Sequence, residues 1–450
     1  MEIKSFEKIY LLGIGGIGMS SIAQFFLQNG KNVAGYDREK TVLTKNLEDK
    51  GAKIHYESNI SSIPVSFKCS EKTLVIYTPA INFDNEEFIF FKHNDFLVLK
   101  RSDVLSHISN NKFCIAIAGT HGKTTTSSIL SHILFENNFS FSSFIGGIPE
   151  NYNSNYINNG KEMILVEADE FDRSFLKLSP DIACVTSIDF DHSDIYKNRT
   201  ELLNSFKKFS NQLKKNGIII KKYGLQINGE TYGFNPSSDF FITNFKNQRN
   251  FSTFDINHKS GCCKKIRFQM MGKHNAENAL AAFIICKKLD IKESNIKASI
   301  QSFKGVKRRF TYVLKTPKVL IDDYAHHPVE INEVKKTILN LYKNKKVTVI
   351  FQPHLFSRTR DLMDEFADVL SDFYEIILLD IYPAREKPIR GISSSVLLDK
   401  IINKNKKLLS DYELYENIKR SKSDVFVMLG AGDIAEKVGR IKKLIEKDGL

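Results

Sequence analysis

Several familiar signatures are missing from this chain, and each absence excludes something. No apolar run among its 450 residues approaches the roughly 20 residues that span a bilayer, so no membrane segment is expected. The N-terminus, Met1-Glu-Ile-Lys-Ser, runs into a strand-like stretch with no basic-then-apolar leader, which argues against a signal peptide. The six cysteines are scattered with no Cys-x-x-Cys pair, so a zinc knuckle is not expected. Cys114 and Cys184 sit in apolar runs and read as small core residues, which fits a reducing cytoplasm. There is no His-Glu-x-x-His. The acidic stretch from Asp189 fails as an EF-hand, because Asp194 stands where the loop needs glycine and Thr200 where it needs glutamate. A formal charge of +13 comes from dispersed lysines without an aromatic-interleaved basic stripe, so no nucleic-acid partner is expected.

What is present is the composition of a folded protein, 42% hydrophobic and 26% charged, with length for about two to four domains. The most informative stretch is Gly119-Thr120-His121-Gly122-Lys123-Thr124-Thr125. It follows an apolar run, Phe113 to Ala118, and precedes a helical pattern at Ile129, Leu130, Ile133 and Leu134. Strand, glycine turn, Lys-Thr and helix make a phosphate-binding layout: backbone N–H groups close on phosphate oxygens, Lys123 reaches the β/γ-phosphates, and Thr124 offers a hydroxyl to Mg²⁺. The pattern is truncated, with Ile117 where glycine is usual, and alone it also fits an ordinary strand-to-helix turn.

The neighbourhood favours the phosphate site. The apolar run Glu162 to Glu167 ends on a carboxylate, where a nucleotide enzyme holds Mg²⁺. A further run from Asp181 to Ile188 leads to His192. In a parallel sheet such strand ends share one edge, so Lys123, Thr124, Glu167 and His192 are expected to converge.

Upstream, the run Ile9 to Leu12 enters Gly13, Gly15 and Gly18 in GxGxxG spacing, followed by a helical pattern and a second strand ending at Asp37. Spacing alone suggests a nucleotide or dinucleotide site with Asp37 on a ribose hydroxyl, or else a tight βαβ packing turn. The strand from Thr73 ends at Thr78, which is expected to line the same site. Downstream, Asn275 and Asn278 share a helix face and suit either adenine edges or a helix cap. Arg308 and Arg309 suit a phosphate or ribose clamp or a plain surface. The last third alternates strand and helix four times, a second Rossmann-like pattern, and its strand ends carry His326, His354, Arg358 and Arg360, which suit a small carboxylate-bearing substrate.

In order and spacing, GIGGIGMS at Gly13, GTHGKTTT at Gly119, EADEFDRSF at Glu167, DFDHSDIY at Asp189, HNAENALAA at His274, GVKRRF at Gly305, DDYAHHPVE at Asp322, FQPH at Phe351, SRTR at Ser357 and GAGDI at Gly430 resemble the Mur ligases over nearly the whole chain. His121 resembles the branch that adds L-alanine, with murein-peptide ligases the nearest relatives that share it.

The resemblance implies an α/β fold of three domains: an N-terminal Rossmann-like UDP-sugar domain at 1–109, a central P-loop ATP-binding domain at 110–307, and a C-terminal Rossmann-like amino-acid domain at 308–450. It implies ATP-driven joining of L-alanine to UDP-N-acetylmuramate, with Mg²⁺, in the cytoplasm, as a monomer or homodimer. Lys123, Glu167 and His192 are then catalytic, and Thr124, Glu167 and His192 hold the metal. Gly119 to Thr125 with Asn275, Asn278, Arg309 and Asp323 bind ATP. Gly13, Gly15, Gly16, Gly18, Asp37 and Thr78 bind UDP-sugar in place of a dinucleotide. Tyr324, His326, His354 and Arg358 bind the amino acid. Where many relatives carry arginine after the histidine, this chain has Leu355, so either Arg358 and Arg360 suffice or the pocket is altered. A nicotinamide oxidoreductase built on the first glycine loop has no use for Lys123 or Glu167. A nucleic-acid-stimulated ATPase would need a steep salt dependence of binding.

Overall fold

A computed structural model describes residues 3–447 apart from 192, 194, 249 and 385. The chain forms two compact units. One comprises Met1–Ile188, Leu203–Thr231 and Ala281–Lys292; the other comprises Asp189–Leu202, Tyr232–Leu280 and Glu293–Leu450.

The first unit contains a fully parallel sheet in the order β3-β2-β1-β4-β5, built from β1 (Lys8–Leu12), β2 (Asn32–Tyr36), β3 (Lys53–His55), β4 (Thr73–Tyr77) and β5 (Leu97–Lys100). Each of its five strands runs the same way, so the glycine turn after β1, the acid after β2 and Thr78 after β4 all emerge at one edge. Tyr10, Leu12, Val75, Phe88 and Phe91 fill one core of this sheet.

The same unit holds a second run of strands: β6 (Phe113–Ala118), β7 (Phe141–Phe144), β8 (Tyr156–Asn158), β9 (Met163–Ala168), β10 (Ile182–Val185) and β11 (Ile218–Lys222), ordered β11-β10-β6-β9-β7-β8. All pairings are parallel except β7 with β8. β6 is central, and from Cys114 to Ala118 it is wholly buried, as its unbroken apolar run requires when both faces are covered. The glycine-loop helix of the first sheet (Ile17–Gln28) is tied to this second layer by side-chain amides. Gln24 Nε2 donates to Asn155 Oδ1 at 2.8 Å, while Asn155 Nδ2 donates to Ile17 O and to Ser20 Oγ. These buried, mutually satisfied groups fix the helix that follows the first glycine loop against the segment leading into edge strand β8.

In the second unit, Tyr232 and Gly233 at the end of β12 (Glu230–Gly233) pair in parallel with β13 (Phe240–Asn247); the antiparallel β14 (Ser252–His258) and β15 (Gly261–Phe268) follow. Its main sheet runs β16-β17-β21-β18-β19-β20, from β16 (Thr311–Leu314), β17 (Val319–Asp323), β18 (Val347–Phe351), β19 (Glu375–Leu378), β20 (Lys406–Leu408) and β21 (Val425–Leu429). Only β16 at the edge is antiparallel. Two cores cover its faces, one around Phe351, Phe366 and Val427, the other around Ile350, Phe426 and Met428. Alternation along β18 sends Phe351 to one core and Ile350 to the other, as a two-faced strand demands.

Candidate nucleotide and amino-acid sites

β6 ends at Ala118 and the chain turns through Gly119 (φ 131°) and Gly122 (φ 84°) into the helix Lys123–Glu136. Glycine is required at 119 for space as well as conformation, because a Cβ there would fall 2.2 Å from Thr186 Oγ1. The loop is held from the end of β10. Thr186 Oγ1 donates to His121 O at 2.5 Å, Ser187 Oγ accepts from the His121 N–H at 2.8 Å, and the Thr120 N–H donates to Ser187 O at 3.2 Å. Thr124 and Thr125 lie buried in the first turn of the helix.

Lys123 folds back over this loop. Its Nζ donates to Gly119 O at 2.5 Å and to Glu170 Oε2 at 2.6 Å. Burial alone would depress the ammonium, but Glu170, then Asp169 and Glu167, reverse that and hold it above its ordinary value. Thr124 Oγ1 donates to Glu167 Oε2 at 3.1 Å, and the other carboxylate oxygen accepts from the Gly146 N–H at 2.6 Å. Lys123, Thr124 and Glu167 therefore meet at one sheet edge. His192 lies outside the described residues.

At the first loop, the Gly13 N–H donates to Tyr36 O at 2.8 Å, and Asp37 Oδ2 accepts from the Gly15 N–H at 2.7 Å. Gly16 caps the following helix, with Gly18 in its first turn, and Thr78 Cγ2 lies 2.7 Å from where a Cβ on Gly13 would stand. All six residues expected there are adjacent.

In the second unit, Asn275 and Asn278 lie buried on the helix Lys273–Lys288. Asn275 Nδ2 donates to Met271 O at 2.7 Å, and Asn278 Nδ2 to Asn275 Oδ1 at 3.4 Å. Asp323, at the end of β17, accepts from the N–H groups of Phe310 and Ala325, both at 2.7 Å, so its carboxylate braces the turn after the strand. Burial raises its pKa, which Arg309 and these two bonds oppose. Arg309 lies 5.1 Å over the Tyr324 ring and 3.6 Å from Glu330.

Tyr324 meets His326 edge-on at 5.3 Å, His326 lies 5.9 Å from His354, and Arg358 Nη1 is 3.3 Å from His354 Nδ1. The four expected amino-acid residues thus form one cluster. Arg358 turns the rest of its fork on Asp191, with Nε to Oδ1 at 3.0 Å and Nη2 to Oδ2 at 3.2 Å. Arg360 instead pairs with Asp361 on the exposed side of its helix. Leu355 is buried at φ 73°, a strained value for a branched side chain, and lines a pocket with Asp191, Ser193 and Arg358.

His326 Nδ1 lies 2.9 Å from Tyr324 O, so it carries the ring proton and Nε2 is left as acceptor. Burial pushes this histidine down to about 4; Glu330 opposes the shift and Arg358 adds to it. A histidine depressed in the folded state stabilises fully above its unfolded value, and that stability is lost as pH falls through the folded one. Stability worth about 1–3 kcal/mol is therefore expected to disappear between about pH 6.5 and 4. Asp322, pushed up to about 6 by burial, acts in the opposite sense over part of this window. The readout is accordingly the difference between wild type and His326→Gln in melting temperature against pH: the variant should lose less stability on acidification, and parallel curves would refute the assignment.

Three family models match the chain in succession: "Mur ligase family, catalytic domain" over 8–113, "Mur ligase middle domain" over 117–286 and "Mur ligase, glutamate ligase domain" over 308–435. The chain belongs to the Mur ligase family. This Mur ligase is 47% identical over 99% of both chains to the UDP-N-acetylmuramate–L-alanine ligase of Christiangramia forsetii. It is 48% identical to the protein of the same name from Flavobacterium psychrophilum, over 99% of this chain and 100% of that one. The crystal structure of the UDP-N-acetylmuramate–alanine ligase of Thermotoga maritima superposes with a TM-score of 0.83 at 27% identity, covering 98% of this chain and 99% of that one.

Several neighbours of these sites were not expected from the sequence: Thr186, Ser187 and Glu170 around the phosphate loop, and Asp191, Glu330 and Tyr382 around the histidines. Tyr382 stacks on His354 at 5.6 Å. Glu170 had a signal, since it lies three residues beyond Glu167 in the same acidic turn. Tyr382 had none. Among the described residues no helix is long and apolar enough to cross a membrane.

Proposed function

We propose that this Mur ligase joins L-alanine to the lactyl carboxylate of UDP-N-acetylmuramate, converting ATP to ADP and phosphate in the cytoplasm. The observation that carries the reading is full-length identity of 47–48% to enzymes named for that reaction. The site chemistry agrees with it. Three domains, 1–109, 110–307 and 308–450, bind UDP-sugar, ATP and amino acid in turn.

Backbone N–H groups of the Gly119 loop, the start of its helix and the Lys123 ammonium draw in the ATP phosphates. A carboxylate oxygen attacks the γ-phosphorus and ADP leaves, giving an acyl phosphate. The amine of L-alanine attacks its carbonyl carbon, and phosphate departs from the tetrahedral intermediate. Both partners of the first step are anions, so neutralising charge is the main task. Asn275, Asn278, Arg309 and Asp323 hold adenosine. Neutral His326, with Nε2 as acceptor, suits the alanine ammonium, and Arg358 its carboxylate.

Magnesium fits the donors present. Thr124 and Glu167 offer adjacent hard oxygens, His192 is the third candidate, and Mg²⁺ needs few protein ligands when phosphates and water supply the rest. Held by these residues, it would supply positive charge that offsets the negative charge of the phosphates. Chelating divalent metal should abolish turnover, with excess Mg²⁺ restoring it. Glu167→Ala should raise the Mg²⁺ concentration needed for half-maximal rate by about tenfold or more, and an unchanged requirement would remove Glu167 from the metal site. An ADP-release assay with L-alanine, glycine, L-serine and murein tripeptide tests the substrate: L-alanine should be preferred, and preference for the tripeptide would overturn the reading.

A further inference from the structure

The sugar nucleotide carries a diphosphate and a carboxylate, yet the residues assigned to the first glycine loop are glycines, a threonine and an aspartate. None of them has a cationic side chain. The geometry points to Arg101 as the residue that binds an oxyanion of the sugar nucleotide at this loop.

Arg101 opens the helix Arg101–Ser109 directly after β5, at the same sheet edge as the glycine loop. Its guanidinium lies on Gly18: a Cβ built there would fall 2.1 Å from Nη1. Glycine at 18 thus makes room for an arginine over the first turn of the Ile17–Gln28 helix, where backbone N–H groups and the helix dipole already favour an anion. The other side of the guanidinium faces Asp169, with Nη2 3.6 Å from Oδ2. Asp169 is one of the acids that raise the pKa of Lys123. Arg101 therefore meets both Gly18 of the sugar-nucleotide loop and Asp169, an acid whose charge is felt at Lys123 of the phosphate loop.

Its main chain is anchored while its tip is loosely held. Ser106 Oγ donates to Lys177 O at 2.7 Å, and Lys177 pairs with Asp103 of the same helix. The Asp169 contact, by contrast, is long, and its side chains are 27% and 36% exposed, so it costs little to exchange. An entering oxyanion replaces Asp169 on the fork, gaining charge-assisted hydrogen bonds. The anion is either the diphosphate or the lactyl carboxylate.

The inference rests on the proposed substrate, and the test separates the two. In the full chain, Arg101→Ala should raise KM for UDP-N-acetylmuramate about 10–100-fold and leave KM for ATP and L-alanine within about twofold. Arg101→Lys should recover part of the loss. Gly18→Ala, which displaces the guanidinium without removing it, should raise the same KM, and combining it with Arg101→Ala should add little. Calorimetry distinguishes the anion: equal weakening of UDP and UDP-N-acetylmuramate assigns the diphosphate, and weakening of UDP-N-acetylmuramate alone assigns the carboxylate. Unchanged KM and affinity in Arg101→Ala, or equal changes in all three KM values, would overturn the role. If the wild type released no ADP, the reaction would be wrong, and the calorimetry would still decide whether Arg101 binds the sugar nucleotide.

Discussion

Replacing Lys123 by methionine should lower kcat by about 10³-fold or more, the scale seen when a cation on a transferring phosphoryl group is removed. Affinity for UDP-N-acetylmuramate should stay near wild type, because the first glycine loop is held by its own contacts to Tyr36, Asp37 and Thr78. The variant carries a second effect. Lys123 and Glu170 are 15% and 1% exposed at 2.6 Å, and breaking such a pair typically costs about 3–5 kcal/mol because one charge stays buried. Lost activity alone would therefore be ambiguous. Lys123→Met with Glu170→Gln removes both charges and should regain most of the melting temperature while remaining inactive. Activity restored along with stability would show that Lys123 only supports the fold.

Arg358→Ala should raise KM for L-alanine about 100-fold, from loss of charge-assisted hydrogen bonds to the substrate carboxylate, with KM for ATP little changed. It should also destabilise the second unit by about 3–5 kcal/mol. Arg358 and Asp191 are 6% and 7% exposed, and the arginine grips both carboxylate oxygens. Lysine cannot reproduce that fork, so Arg358→Lys should be nearly as damaging. Asp191→Asn separates the two roles: it weakens the brace but keeps the guanidinium, so KM for L-alanine should rise far less than in Arg358→Ala. Equal effects in both variants would make Arg358 a brace alone. Arg360 is turned away to Asp361, so Arg360→Ala should leave KM for L-alanine unchanged.

Much of this was legible in the residues because local chemistry and global position coincide. The run Phe113 to Ala118 is β6 to the residue, and its short unbroken apolar stretch between a polar break and a glycine suits a strand covered on both faces from Cys114 onward. Convergence of Lys123, Thr124 and Glu167 followed from parallel strands sharing an edge. Edge strands such as β3, β8, β16 and β20 are three or four residues long, too short for a period-2 pattern to show.

The unforeseen residues act across long sequence separations. Glu170 reads as one acid in an acidic turn, and only folding sets it under Lys123. Asp191 reads as part of an alternating acidic run, and only the structure pairs it with an arginine 167 residues away. Arg101 belongs to none of the motifs, and its position over Gly18 comes from the packing of two elements.

The most direct measurement follows oxygen. UDP-N-acetylmuramate labelled with ¹⁸O in both lactyl carboxylate oxygens should be incubated with enzyme, ATP, Mg²⁺ and L-alanine. The phosphate should then be analysed by mass spectrometry. An acyl phosphate formed on the carboxylate transfers one of those oxygens to phosphorus, so each released phosphate should carry a single ¹⁸O and the amide product should retain the other. Unlabelled phosphate, with both labels kept in the sugar nucleotide, would contradict the account.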